Sequence, residues 1–78
     1  MKIAAIDIGT NAIKSKIFST TPTSIEFIES IRTPMRLGED VFSNGFLSQD
    51  KLNDLIKILK NYIEYFEKNN IDMYEIVA

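Results

Sequence analysis

Lys2-Ile3-Ala4-Ala5-Ile6-Asp7-Ile8-Gly9-Thr10-Asn11 joins a short apolar run to a polar turn. The run places Ala4, Ile6 and Ile8 on one face and Ile3, Ala5 and Asp7 on the other. That is the pattern of a strand covered on both sides. The turn then sets a carboxylate, a glycine and a hydroxyl where the strand ends. Backbone N–H groups in such a turn converge on one concavity and attract anions. Gly9 permits the close approach or positive φ that a side chain would forbid. The Thr10 hydroxyl and the Asn11 amide add donors, and Asp7 offers oxygen to a metal ion, directly or through water. An ordinary hairpin turn with a surface aspartate would use the same five residues, so the pentapeptide alone leaves both readings open.

Outward from this turn, the order of elements is legible. Residues 12–19 alternate, with Ile13 and Ile17 on one side and Lys14, Lys16 and Phe18 on the other. Residues 20–23, with Pro22, form a turn cluster. Residues 24–33 alternate again, placing Ile25, Phe27 and Ile31 on one face and Glu26, Ile28, Ser30 and Arg32 on the other. Three strands joined by short turns predict an antiparallel meander. Residues 34–47 are irregular. Ser48 is a good N-cap and Asp50 suits the positive end of a helix dipole. Leu52, Leu55, Ile56, Leu59, Ile63 and Phe66 then make one apolar stripe at helical spacing. Asn69-Asn70 is a helix stop, since Asn tolerates the left-handed conformation. Residues 73–78 are a last apolar strand. A strand, a helical crossover and another strand imply that this last strand runs parallel to a neighbour, the first strand being the candidate.

Composition narrows the chemistry. The chain has 78 residues, no cysteine and no histidine. Disulfides, thiolate nucleophiles, Ser-His-Asp triads and imidazole-bound metals are therefore excluded within it. A metal would be a hard ion on oxygen ligands, such as magnesium. Ile3 to Ile6 is too short for the apolar region of a signal peptide and Asp7 interrupts it, and no apolar run reaches the ~20 residues of a membrane span. A soluble, cytoplasmic protein with no membrane partner is expected. The net charge of −2 conceals an asymmetry: residues 1–38 carry five basic and three acidic side chains, and residues 39–78 carry four basic and eight acidic. The basic half holds the candidate corner. Its charge suits a small polyanion better than a nucleic acid, which would require a longer basic stripe.

The order β-β-β-α-β with a phosphate turn after the first strand describes part of an α/β, actin-like (ribonuclease-H-like) domain, with an antiparallel meander and a parallel fourth strand. The stretch from Ile6 to Lys14 resembles the opening motif of exopolyphosphatases and guanosine pentaphosphate phosphatases. Sugar kinases, pantothenate kinases and chaperone ATPases of the actin-like class share that opening. A second patch separates them: Met35-Arg36-Leu37-Gly38, then Gly45-Phe46-Leu47-Ser48 leading into the helix, resembles the RLG and G-x-LS signature of the exopolyphosphatase family.

The resemblance implies two actin-like domains facing across a cleft, a homodimer at full length, and magnesium-assisted hydrolysis of a terminal phosphoanhydride in inorganic polyphosphate or guanosine pentaphosphate. It assigns Asp7, Gly9, Thr10, Asn11 and Lys14 to the first phosphate loop, with Asp7 as the metal ligand. The family usually has serine and arginine where this chain has Ala12 and Lys14, and lysine lacks the bidentate fork of arginine. Arg32 and Arg36 match basic positions whose roles stay open. Lys14 and Lys16 also fit a solvated strand face, and Arg36 a helix–loop anchor. The family's catalytic glutamate lies beyond the position of Ala78, and Glu39, Asp40 and Glu75 have no motif support as a general base. Residues 1–78 are thus expected to be the N-terminal part of one such domain, from a truncated product or an excised piece, inactive alone. A piece of another actin-fold phosphotransferase, or a stand-alone module that pairs its sheet edges with a partner, are the competing readings.

Overall fold

A computed structural model describes residues 1–38, 45 and 47–77. It contains β1 (Lys2–Ile8), β2 (Ala12–Thr21), β3 (Ser24–Pro34), α1 (Gln49–Lys68) and β4 (Met73–Val77). The four strands form one sheet in the order β3-β2-β1-β4. β1 pairs antiparallel with β2 and parallel with β4, and β2 pairs antiparallel with β3. This is the expected meander with a parallel fourth strand. The expectations that concern Glu39, Asp40, Phe46 and Ala78 lie outside the described residues.

α1 covers one face of the sheet. Ser48 caps it, its hydroxyl accepting from the Lys51 N–H at 3.2 Å. At the other end Asn70 takes a φ of 58°, the left-handed stop expected of the Asn69-Asn70 pair. The Ile71 N–H returns to the Phe66 carbonyl at 3.0 Å, which turns the chain into β4. The parallel pairing begins with Asp72, whose N–H donates to the Lys2 carbonyl at 2.8 Å while its carboxylate accepts from the Lys2 N–H at 2.7 Å.

The core lies between α1 and the sheet: Ala4, Ile6, Ile13, Ile17, Met35, Leu37, Tyr62 and Phe66 are buried together. Three sequence expectations are corrected here. First, β1 is buried on one face only. Ala4 and Ile6 are buried, but Ala5 and Asp7 are exposed, because no element packs on that side among the described residues. Second, β3 does not keep one apolar face. Ile17 pairs with Glu29 and Phe18 with Phe27, so Ile28 is an extra residue in a β-bulge. The bulge flips the alternation. Ile31 stays with the core, whereas Phe27 joins Phe18 on the open face, their ring centroids 5.8 Å apart, edge to face. Third, the buried stripe of α1 is rotated from the one read in sequence. Leu52 and Ile56 are exposed, and Tyr62 takes the central place with Phe66.

Tyr62 enters the core because its hydroxyl is satisfied there. It donates to the Ile13 carbonyl at 3.0 Å, so the Thr33 hydroxyl, at 2.6 Å, is the donor to it. The bridge ties α1 to both β2 and β3. Nearby, the Tyr65 hydroxyl donates to the Glu29 carboxylate. That hydrogen bond, with burial and the Glu29 charge, holds the Tyr65 phenol above its ordinary value of 10.0. Ser15, by contrast, is fully buried in the core-facing row of β2, and its hydroxyl has no partner among the described residues.

Two stability measurements follow. Tyr62→Phe should lower the unfolding free energy by about 1–2 kcal/mol in urea, since it removes one buried hydrogen bond and orphans the groups around it. Ser15→Ala should raise it by roughly 1 kcal/mol, because a buried hydroxyl without a partner carries an uncompensated desolvation penalty. A loss of stability in Ser15→Ala would contradict the unpartnered state of that hydroxyl.

Candidate functional site

The corner between β1 and β2 is a tight hairpin. The Gly9 N–H donates to the Ala12 carbonyl at 3.0 Å and closes it. Gly9 therefore does not offer its N–H to an anion, as the sequence reading of a converging set of amides implied. Its φ is not in the left-handed region either. What it supplies is close approach: a Cβ at this position would stand 3.1 Å from the Ala12 carbonyl oxygen.

A second segment straps this turn from outside. The Met35 N–H donates to the Asn11 carbonyl and the Gly38 N–H to the Thr10 carbonyl, both at 3.0 Å. Met35 and Leu37 are buried and anchor the strap in the core. A trans peptide holds its C=O and N–H in opposite directions. With the Thr10 carbonyl turned to Gly38, the Asn11 N–H of the same peptide points away from the strap. Among the described residues the N–H groups of Thr10 and Asn11 meet no acceptor. The donors of the corner are thus Thr10 and Asn11.

The charged residues reach the corner by register. Asp7 pairs with Lys14, and Lys14 with Arg32, so the three form a row across β1, β2 and β3 on the open face of the sheet. Asp7, Gly9, Thr10, Asn11, Ala12, Lys14 and Arg32 line one hollow of about 310 Å³. All five residues singled out in the sequence are brought together there. Arg32, whose role the sequence left open, is added by the pairing of β3. The periodic register of the meander was its signal: three strands in alternation place residues 7, 14 and 32 abreast. Of the residues without motif support, Glu75 stands in β4 opposite Ala5. Among the described residues no three acidic side chains cluster as a metal cage, and no helix is long and apolar enough to cross a membrane.

No protein-family model matches the chain. Among curated proteins it is 33% identical over 80 residues to the bifunctional 3-dehydroquinate synthase/phosphatase of Fusobacterium nucleatum, a match covering 96% of this chain and 12% of that protein. Among solved structures, the Ppx/GppA phosphatase of Aquifex aeolicus, in its type II variant, superimposes on the whole chain with a TM-score of 0.89 at 26% identity. A second structure of the Aquifex aeolicus Ppx/GppA family member gives 0.90 at the same identity. Over its length the chain has the fold of these Ppx/GppA structures.

An exopolyphosphatase of Cytophaga hutchinsonii shares that fold at 17% identity, with a TM-score of 0.85 over 97% of the chain. The chain spans about a quarter of the length of these Ppx/GppA structures, 26% of the two from Aquifex aeolicus and 24% of the Cytophaga hutchinsonii one. Within the Ppx/GppA resemblance, the RLG patch now has a structural task. Its backbone holds two carbonyls of the corner, and its Leu37 side chain fills the core. The glycine of the G-x-LS patch has one too: Gly45 takes a φ of 77°, a conformation other residues adopt at a cost.

Gly9→Ala tests the close approach. It should cost roughly 1 kcal/mol, within the range for overpacking a tight contact. In an NMR spectrum of the amides its shifts should be largest at residues 8–12. Shifts spread evenly over α1 and β4 would contradict a local contact.

Proposed function

We propose that this chain carries the first phosphate loop of a magnesium-assisted phosphoanhydride hydrolase acting on inorganic polyphosphate or guanosine pentaphosphate. The observation that supports this most directly is the corner itself: unpartnered N–H groups at Thr10 and Asn11, next to a row of Asp7, Lys14 and Arg32 around one hollow. The chain's similarity to a bifunctional 3-dehydroquinate synthase/phosphatase and to a Ppx/GppA phosphatase supports the same class of reaction.

In this reading Thr10 and Asn11 donate main-chain hydrogen bonds to phosphate oxygens, and their side chains add a hydroxyl and an amide. Lys14 contributes a point charge where the family usually has the fork of arginine. Asp7 is exposed and, among the described residues, belongs to no cluster of three acidic side chains, which fits magnesium: that ion takes one or two carboxylates and completes its shell with water and substrate phosphate oxygens. When bound, it would neutralise charge on the phosphate. The family resemblance puts the general base beyond the position of Ala78, and two described carboxylates support that reading: Glu29 is engaged by Tyr65, and Glu75 lies opposite Ala5 rather than beside the turn. Water activation by a positioned base contributes about 10²–10⁴-fold, so this chain should bind phosphate without turning it over.

Titration of the chain with inorganic phosphate, followed by amide NMR with and without magnesium, tests the assignment. Magnesium should tighten phosphate binding to the parent chain and have no such effect on Asp7→Asn. Equal affinity in both proteins under both conditions would remove Asp7 from its role. Incubation with polyphosphate and guanosine pentaphosphate should release no phosphate, and brisk release by these 78 residues would overturn the placement of the base elsewhere.

A further inference from the structure

A second hollow adjoins the corner. It measures about 540 Å³ and is lined by Asn11, Arg32, Pro34, Met35, Arg36 and Lys51. Of the six described residues that line it, three are cations and none is acidic. They come from three places in the chain: Arg32 from β3, Arg36 from the strap that follows it, and Lys51 from the first turn of α1. Among the described residues, none of the three side chains has an ion-pair or hydrogen-bond partner. Like charges around one concavity repel each other and raise its positive potential, which an anion relieves. Arg32 and Arg36 can each meet a phosphate with a planar fork, and Lys51 with a compact charge.

The two hollows are neighbours, since Asn11 and Arg32 line both. We propose that the Arg32–Arg36–Lys51 hollow is a second anion subsite. It takes an inner phosphoryl group of a linear condensed phosphate whose end group occupies the Asp7 corner. The inference rests on the reading of that corner as a phosphate loop and extends it to the shape of the ligand. A single phosphate fills one hollow, whereas a chain of phosphoryl groups is charged along its length and reaches both. Arg36 thereby gains a task that its neighbours in the strap, which hold the turn by their backbone, do not perform.

The test is an amide NMR titration of the 78-residue chain with inorganic phosphate and with tripolyphosphate at fixed magnesium and ionic strength. Phosphate should move the Thr10 and Asn11 signals. Tripolyphosphate should move those and also Arg36 and Lys51, and bind more tightly. The double variant Arg36→Ala/Lys51→Ala should weaken tripolyphosphate by up to about fivefold per charge removed, the scale of a solvent-exposed ion pair, and leave phosphate unchanged. Lys14→Ala should weaken both ligands. Lys60→Ala/Lys68→Ala removes the same charge from exposed positions of α1 and should change neither.

Tripolyphosphate binding that survives Arg36→Ala/Lys51→Ala, with Lys14→Ala still damaging, would overturn the second subsite alone. An equal loss in Lys60→Ala/Lys68→Ala would do the same, by reducing the effect to net charge. If neither ligand moves the Thr10 and Asn11 signals, the phosphate-loop reading fails and the subsite with it.

Discussion

The hydrogen bond from the Gly38 N–H to the Thr10 carbonyl governs what the corner between β1 and β2 can do. A hairpin turn has peptides that could face either way, and a carbonyl aimed into the hollow would repel an anion. The strap removes that option by occupying the Thr10 and Asn11 carbonyls, and the planarity of the peptide turns the Asn11 N–H to the other side. The strap is held in turn by burial of Met35 and Leu37 beneath α1. Core packing and the direction of one N–H group are therefore linked within a few residues.

The sheet contributes through its two unlike faces. One is dry, and Tyr62 joins α1 to β2 and β3 across it with a bridge that leaves its hydroxyl and the Ile13 carbonyl satisfied. The other carries Asp7, Lys14 and Arg32 in register. Strand pairing makes this row stiff: each charge is fixed by its backbone to within the spacing of neighbouring strands, about 4.8 Å. The corner and the cationic hollow beside it meet at Asn11 and Arg32. Among the described residues, the acidic side chains of α1 line neither hollow.

Much of this was legible in the chain because the cues are local. Period-two alternation marks β1 and β2, Ser48 and Asn69-Asn70 mark the ends of α1, and a helix between two strands demands a parallel pairing. The glycine and polar residues after β1 mark the turn. The errors came where a local pattern had to be placed against a partner. Residues 24–33 alternate cleanly, but a bulge at Ile28 cannot be seen without β2, whose register decides where β3 slips. The stripe of α1 was read without Tyr62. Tyr62 displaced Leu52 and Ile56 because its hydroxyl found the Ile13 carbonyl and Thr33.

The amino-acid sequence determined the order of elements, the position of the corner between β1 and β2 and its chemical inventory, since each depends on residues adjacent in the chain. Tertiary structure decided which donors of the corner face outward and which cations join it. Those features depend on residues 21 to 40 positions apart, Asn11 with Met35 and Arg32 and Lys51 with Asn11, and contacts of that kind are set by packing rather than by neighbouring letters.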